Sequence, residues 1–99
     1  MWPEALTPYR RTTEFTAATI PAGLLRAHAT KPGTWARLHV LSGLLMFRDL
    51  ETGRDHLIGP GIHPLIRPEA RHEVAPQGAV RFFVEFCALP QPAPKAPGV

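Results

Sequence analysis

Apolar and polar residues alternate along this chain in short stretches, and the period of two that strands require recurs more often than any helical period. Leu24 to Thr30, Trp35 to Leu41, Leu44 to Arg48, His56 to Ile58, Ile62 to Arg67, Arg71 to Ala75 and Val80 to Leu89 read as strands, with Thr12 to Thr19 a weaker candidate. Gly, Pro, Asp and Ser punctuate them, as in an all-β chain. Trp35 to Arg48 also satisfies a helical stripe through Leu38, Leu41 and Leu45. Ser42-Gly43 in its middle favours strands, because Gly costs a helix interior about 1 kcal/mol and suits a hairpin turn. Glu51 to Arg54 and Gly59-Pro-Gly61 give two further turns. Seven or eight strands at this spacing predict a sandwich or a closed barrel.

Composition narrows the picture. Twelve Pro and eight Gly in 99 residues make a helix bundle a poor reading, and the length suits one domain. The chain divides into an arm at 1–8, a β domain at 9–89 and a Pro-rich tail at 90–99, where Pro90, Pro92, Pro94 and Pro97 leave few apolar anchors. The longest apolar run, Ala79 to Leu89, is interrupted by Arg81 and Glu85. It falls well short of the ~18–20 residues that cross a bilayer. A single cysteine, Cys87, and no signal-like start make a cytoplasmic location the default expectation. The net charge of +3 is scattered. Nucleic-acid binders concentrate their cations on one face, so no nucleic-acid partner is expected, and no membrane partner either.

Five histidines raise the question of metal binding, since imidazole is the commonest metal ligand. On the strand Leu24 to Thr30, alternation puts Leu24, Arg26, His28 and Thr30 on one face, which either faces solvent or carries chemistry. His72 follows a proline-bounded turn at a strand start. Glu85 interrupts the most apolar strand; a carboxylate there is paired, metal-bound or turned outward, because burying it bare costs several kcal/mol. The outward reading sets Phe82, Val84 and Phe86 inside, with Arg81, Phe83 and Glu85 outside. His39, His56 and His63 are expected to be structural or exposed. Trp35 either lines a pocket or belongs to the core. No nucleophile-elbow, zincin, phosphate-loop or CxxC pattern occurs.

The stretch from Pro21-Ala-Gly23 through His28, Thr30, Gly33, Trp35 and Arg37 to Gly43 is similar to the first motif of small cupins. More specifically it resembles the TehB/YeaR-like cupin domain, a tellurite-resistance-associated family. The likeness extends from Tyr9 to Phe86, through Pro60-Gly61, Pro68 to His72 and Val80 to Glu85. It implies a single-domain jelly-roll β-barrel that is a homodimer. It also implies a metal site inside the barrel, in which His28 and His72 match the motif histidines while Thr30 stands where a second first-motif histidine would be. Glu85 would then complete a two-histidine, one-carboxylate set for a divalent transition metal: Zn, Fe, Mn or Ni.

Two functions are compatible with these residues. In the first, the metal binds or transforms a small anionic or oxidisable ligand in a tellurite- or nitrogen-stress response, with Arg26, Thr30, Trp35 and Arg37 lining the ligand pocket and both guanidinium groups available to an anion. In the second, the domain is a metal-free ligand-binding or dimerising module without catalytic activity.

Overall fold

A computed structural model describes residues 6–89; the Pro-rich tail and most of the arm lie outside them. Six strands follow in chain order: β1 (Thr7–Arg11), β2 (Phe15–Thr16), β3 (Trp35–Asp49), β4 (Arg54–Ile58), β5 (Leu65–Ile66) and β6 (His72–Ala88), with one 3-10 turn at Ala22–Leu25. All pairings are antiparallel, in the order β1-β6-β3-β4, with β2 on β6 and β5 on β3. The fold is all-β, as the alternation predicts. Among the described residues no helix is long and apolar enough to cross a membrane.

Two long strands carry the architecture. β3 and β6 pair from Trp35 opposite Cys87 to Asp49 opposite His72, with two irregularities between. From Val40 to Ser42, β3 spends two steps against one on β6. From Gly43 to Leu45 it spends two against four, Val80 to Pro76. A single extra residue reverses which side chains face inward, whereas two extra residues leave the phase unchanged. Accordingly the buried set on β3 changes from Ala36, Leu38 and Val40 to Leu45 and Phe47, while on β6 His72, Val74, Val80, Phe82 and Val84 keep one parity. Residues from both halves join a single apolar cluster, so the sheet bends at these bulges and closes over one core.

The expected turn at Ser42-Gly43 and the expected break between Ala75 and Val80 are thus bulges inside continuous strands. A glycine at positive φ serves either purpose, and the pairing on both sides makes it a bulge at Gly43 (φ 78°) and near Gly78 (φ 80°). Gly43 also has no room for a side chain, because a Cβ there would run into the Ala79 carbonyl. The turn at Glu51 to Arg54 is correct: Gly53 N–H donates to the Asp49 carbonyl at 2.9 Å, and the Asp49 carboxylate accepts from Glu51 N–H at 2.9 Å.

Two other expectations are corrected. Leu24 to Thr30 is not a strand. Pro21, with φ −57°, caps the 3-10 turn, and Leu24 N–H donates to its carbonyl at 2.9 Å. Only His28 pairs, in an isolated bridge with His72. At the other end, β1 begins at Thr7 within the expected arm. It is an edge strand, which tolerates Pro8, and its register with β6 slips just after that residue.

Candidate functional site

The segment from Phe15 to Thr30 crosses the inner face of the sheet, and Phe15, Ile20 and Leu24 pack against the core. Between it and the sheet is a cavity of about 250 Å³. Its floor comes from Ala36 and Leu38 on β3, Ile66 on β5, and Val74, Val84 and Phe86 on β6; Phe15, Pro21, Gly23 and Leu24 cover it. Four polar side chains reach it: Thr12, Thr30, His28 and His72. Both hydroxyls are engaged. Thr12 accepts from Val84 N–H at 3.0 Å and donates to the Thr13 carbonyl at 2.8 Å. Thr30 accepts from Glu69 N–H at 3.3 Å and donates to the Arg67 carbonyl at 3.4 Å.

The histidines come together through their backbones, each N–H donating to the other's carbonyl at 2.8 Å. Their rings meet edge to face, with centroids 5.4 Å apart. His72 is 4% exposed and lies over Phe47 at 5.7 Å. Burial pushes its pKa below the ordinary histidine value; the hydrogen bond to the Ala70 carbonyl works in the opposite direction, and the neighbouring His28 adds to the lowering. With Nδ1–H donating to Ala70 at 3.0 Å, the neutral ring keeps Nε2 as an acceptor. Among the described residues the His28 side chain has no hydrogen bond.

The other residues proposed from sequence are placed differently. Glu85 is on the opposite face of β6, across from Arg37. Its carboxylate accepts from His39 Nε2 at 3.2 Å and lies 3.6 Å from the Arg37 guanidinium. This is the outward reading. Trp35 and Arg37 alternate with Ala36 and Leu38, which line the cavity, so they too face away from it. Arg26 is exposed. Of the pocket residues proposed from sequence, Thr30 alone lines the cavity.

Sequence reasoning missed a cluster on that outer face. His39 stacks on Phe83 with centroids 4.7 Å apart and meets His63 at 4.5 Å, while the Arg11 guanidinium sits 4.9 Å over Phe83. Burial pushes the His39 pKa down, and Glu85 partly opposes this. The available signal was the facing alternation of Arg37 and His39 with Phe83 and Glu85. Cys87 is fully buried, and burial raises its thiol pKa.

Similarity to known proteins fixes the family. The profile of the TehB-like domain matches residues 10–84. The chain belongs to the TehB-like family. It is 35% and 34% identical, over 71 residues, to TehB from two strains of Haemophilus influenzae, each described as a probable S-adenosyl-L-methionine-dependent methyltransferase. Both matches cover 67% of this chain and 25% of the relative, so the TehB-like domain spans about a quarter of those proteins. The crystal structure of H. influenzae TehB superposes with a TM-score of 0.80 at 30% identity, over 87% of this chain and 32% of that one. A protein from Escherichia coli strain K12 superposes with a TM-score of 0.83 at 23% identity, over 92% and 98%; this is a likeness of fold alone.

The expected divalent transition metal is corrected by these findings. His28 and His72 share the cavity, but Glu85 is on the other side of the sheet, because residues 84 and 85 point to opposite faces. Among the described residues no group of three or more His, Cys, Asp or Glu is placed to hold a metal. The curated relatives are named for S-adenosyl-L-methionine, not for a metal.

Proposed function

We propose that this TehB-like domain is a non-catalytic binding module whose cavity takes the uncharged, apolar part of a small molecule. The observation that carries this reading is the lining itself. Among the described residues no Lys, Arg, Asp or Glu borders the cavity, and its most buried polar group, His72, is held toward the neutral form. A bare oxyanion such as tellurite would lose its hydration there without gaining a cation, at a cost of several kcal/mol. A hydroxyl or N–H on the ligand, by contrast, finds an acceptor in His72 Nε2.

S-adenosyl-L-methionine does not fit this cavity. Its sulfonium, ribose diol and amino-acid head call for carboxylates and backbone donors, and among the described residues the lining supplies no carboxylate. The fold accounts for about a third of the TehB crystal chain and nearly all of the E. coli chain, which supports a module separate from the methyl-transfer machinery.

Amide shifts in an NMR titration test the reading. Small neutral compounds such as indole or cyclohexanol should move the signals of His28, Leu38, His72 and Val84, and Ala36→Leu, which extends a side chain into the cavity, should abolish the response. Tellurite moving those signals while the neutral compounds do not would refute it.

A different surface favours self-association as a second reading. β4 is an edge strand, and Leu57 on it, with Leu44 and Ile62 nearby, is 42–52% exposed. Exposed strand edges with apolar side chains are templates for pairing. Sedimentation should show a dimer that Leu57→Lys dissociates; a monomer at high concentration would exclude it.

A further inference from the structure

A second hollow of about 260 Å³ adjoins the apolar cavity, and His28, Thr30 and Phe86 border both. Neither volume alone reaches the ~300–1,000 Å³ of ordinary small-molecule sites, but the two joined fall within that range. The second hollow has a different chemistry. Tyr9 and Arg10 of β1 form one side, and Lys31, one residue beyond Thr30, forms the other. Among the described residues neither Arg10 nor Lys31 is paired with a carboxylate, whereas Arg37, Arg48, Arg71 and Arg81 all are. Among the described residues, two cations without carboxylate partners thus border a hollow beside an uncharged cavity, with the exposed Tyr9 ring next to them.

We infer that the ligand is an amphipathic organic carboxylate, with its apolar body in the cavity and its carboxylate in the outer hollow between Arg10 and Lys31. This rests on the reading that the cavity takes an apolar body, and adds the charge and position of the head. The arrangement follows from desolvation. An anion is expensive inside the cavity but stays hydrated in the outer hollow, where a guanidinium offers it paired donors and a nearby ammonium adds attraction. No internal ion pair has to break for it to bind.

Octanoate and 1-octanol test the inference, because they share a body and differ in the head. Each is titrated into the full chain at low salt and followed by amide shifts. Octanoate should bind about tenfold more tightly than octanol. Its advantage should shrink as ionic strength rises beyond about 0.1 M, where the screening length falls below about 10 Å. Arg10→Gln with Lys31→Gln, both at exposed positions, should bring octanoate down to octanol and leave octanol unchanged. Octanol binding in the cavity with octanoate no tighter overturns the inference and spares the cavity reading, as does a preference indifferent to salt and to both substitutions. Binding of neither probe overturns both.

Discussion

Replacing His72 with Asn separates packing from protonation in one side chain. An Asn amide can still donate to the Ala70 carbonyl in place of Nδ1–H, but it does not titrate and it lacks the ring that lies over Phe47 and against His28. The lost packing at a site 4% exposed should cost about 1–3 kcal/mol at pH 8, where both proteins are uncharged at this position. The pH dependence works in the other direction. Because burial lowers the His72 pKa in the folded chain, the unfolded chain takes up its proton first as pH falls. Wild-type stability is therefore full above the ordinary histidine value near 6.5. It declines as pH drops toward the lowered folded value, by about 1.4 kcal/mol for each tenfold weakening of protonation.

His39, also lowered by burial, contributes a decline of the same sign in both proteins. The Asn variant should retain only that part. Its deficit relative to wild type should consequently narrow between pH 8 and pH 5, above the range in which ordinary carboxylates titrate. Urea unfolding at pH 8, 7, 6 and 5 measures the deficit directly. A deficit that stays constant or widens toward pH 5 would mean that His72 is not held neutral by burial, and the argument against an anion inside the cavity would lose its main support.

Glu85→Gln should lower stability by about 1 kcal/mol, because the Glu85 carboxylate no longer pairs with Arg37 and His39, and NMR titration should show the His39 pKa falling further as its carboxylate partner disappears. Cavity binding should be untouched; weakened binding would tie Glu85 to the site after all. Gly43→Ala should cost about 3 kcal/mol or more in denaturant unfolding, since positive φ combines with a backbone collision at Ala79. Gly53→Ala, at φ 74° in open space, should cost only about 1 kcal/mol, and equal losses would show that the bulge is not sterically fixed.

The fold was readable wherever alternation runs undisturbed. Ala36, Leu38 and Val40 opposite Val84 and Phe82 form the inner face that period two predicts, and the same count puts Glu85 outside. It was unreadable where a glycine allows two outcomes. Nothing local distinguishes a reversal at Ser42-Gly43 from a bulge, because the difference lies in what β6 does opposite, more than thirty residues away. The His28 segment failed for a related reason. Its alternation is real, but Pro21 fixes a 3-10 turn, and the one backbone pair it makes depends on where β6 begins. The site was therefore half legible. His28 and His72 were singled out as metal ligands and both line the cavity, while Phe15, Ile66 and Val74, which make the cavity apolar, carried no signal beyond being hydrophobic.

The mismatched bulges also explain why this sheet can keep charge away from its cavity. The odd insertion on β3 reverses its facing set, while the even insertion on β6 does not, so the two strands stay in phase around one core despite the bend. Without that compensation, an inward Leu38 opposite Val84 could not coexist with an inward Phe47 opposite Val74 on the same pair of strands. With it, Arg37, His39 and Glu85 settle their charges against one another outside, and the interior polar groups reduce to two imidazoles and two occupied hydroxyls. Charge then borders the interior where the inner face runs out, at Arg10 and Lys31 beside His28 and Thr30, and at Asp49, Glu51, Arg67 and Arg71 in a separate hollow beside His72. Selectivity for an apolar body with a polar end is thus a consequence of strand register, and a substitution that shifts the register should alter ligand preference before it alters any residue that touches the ligand.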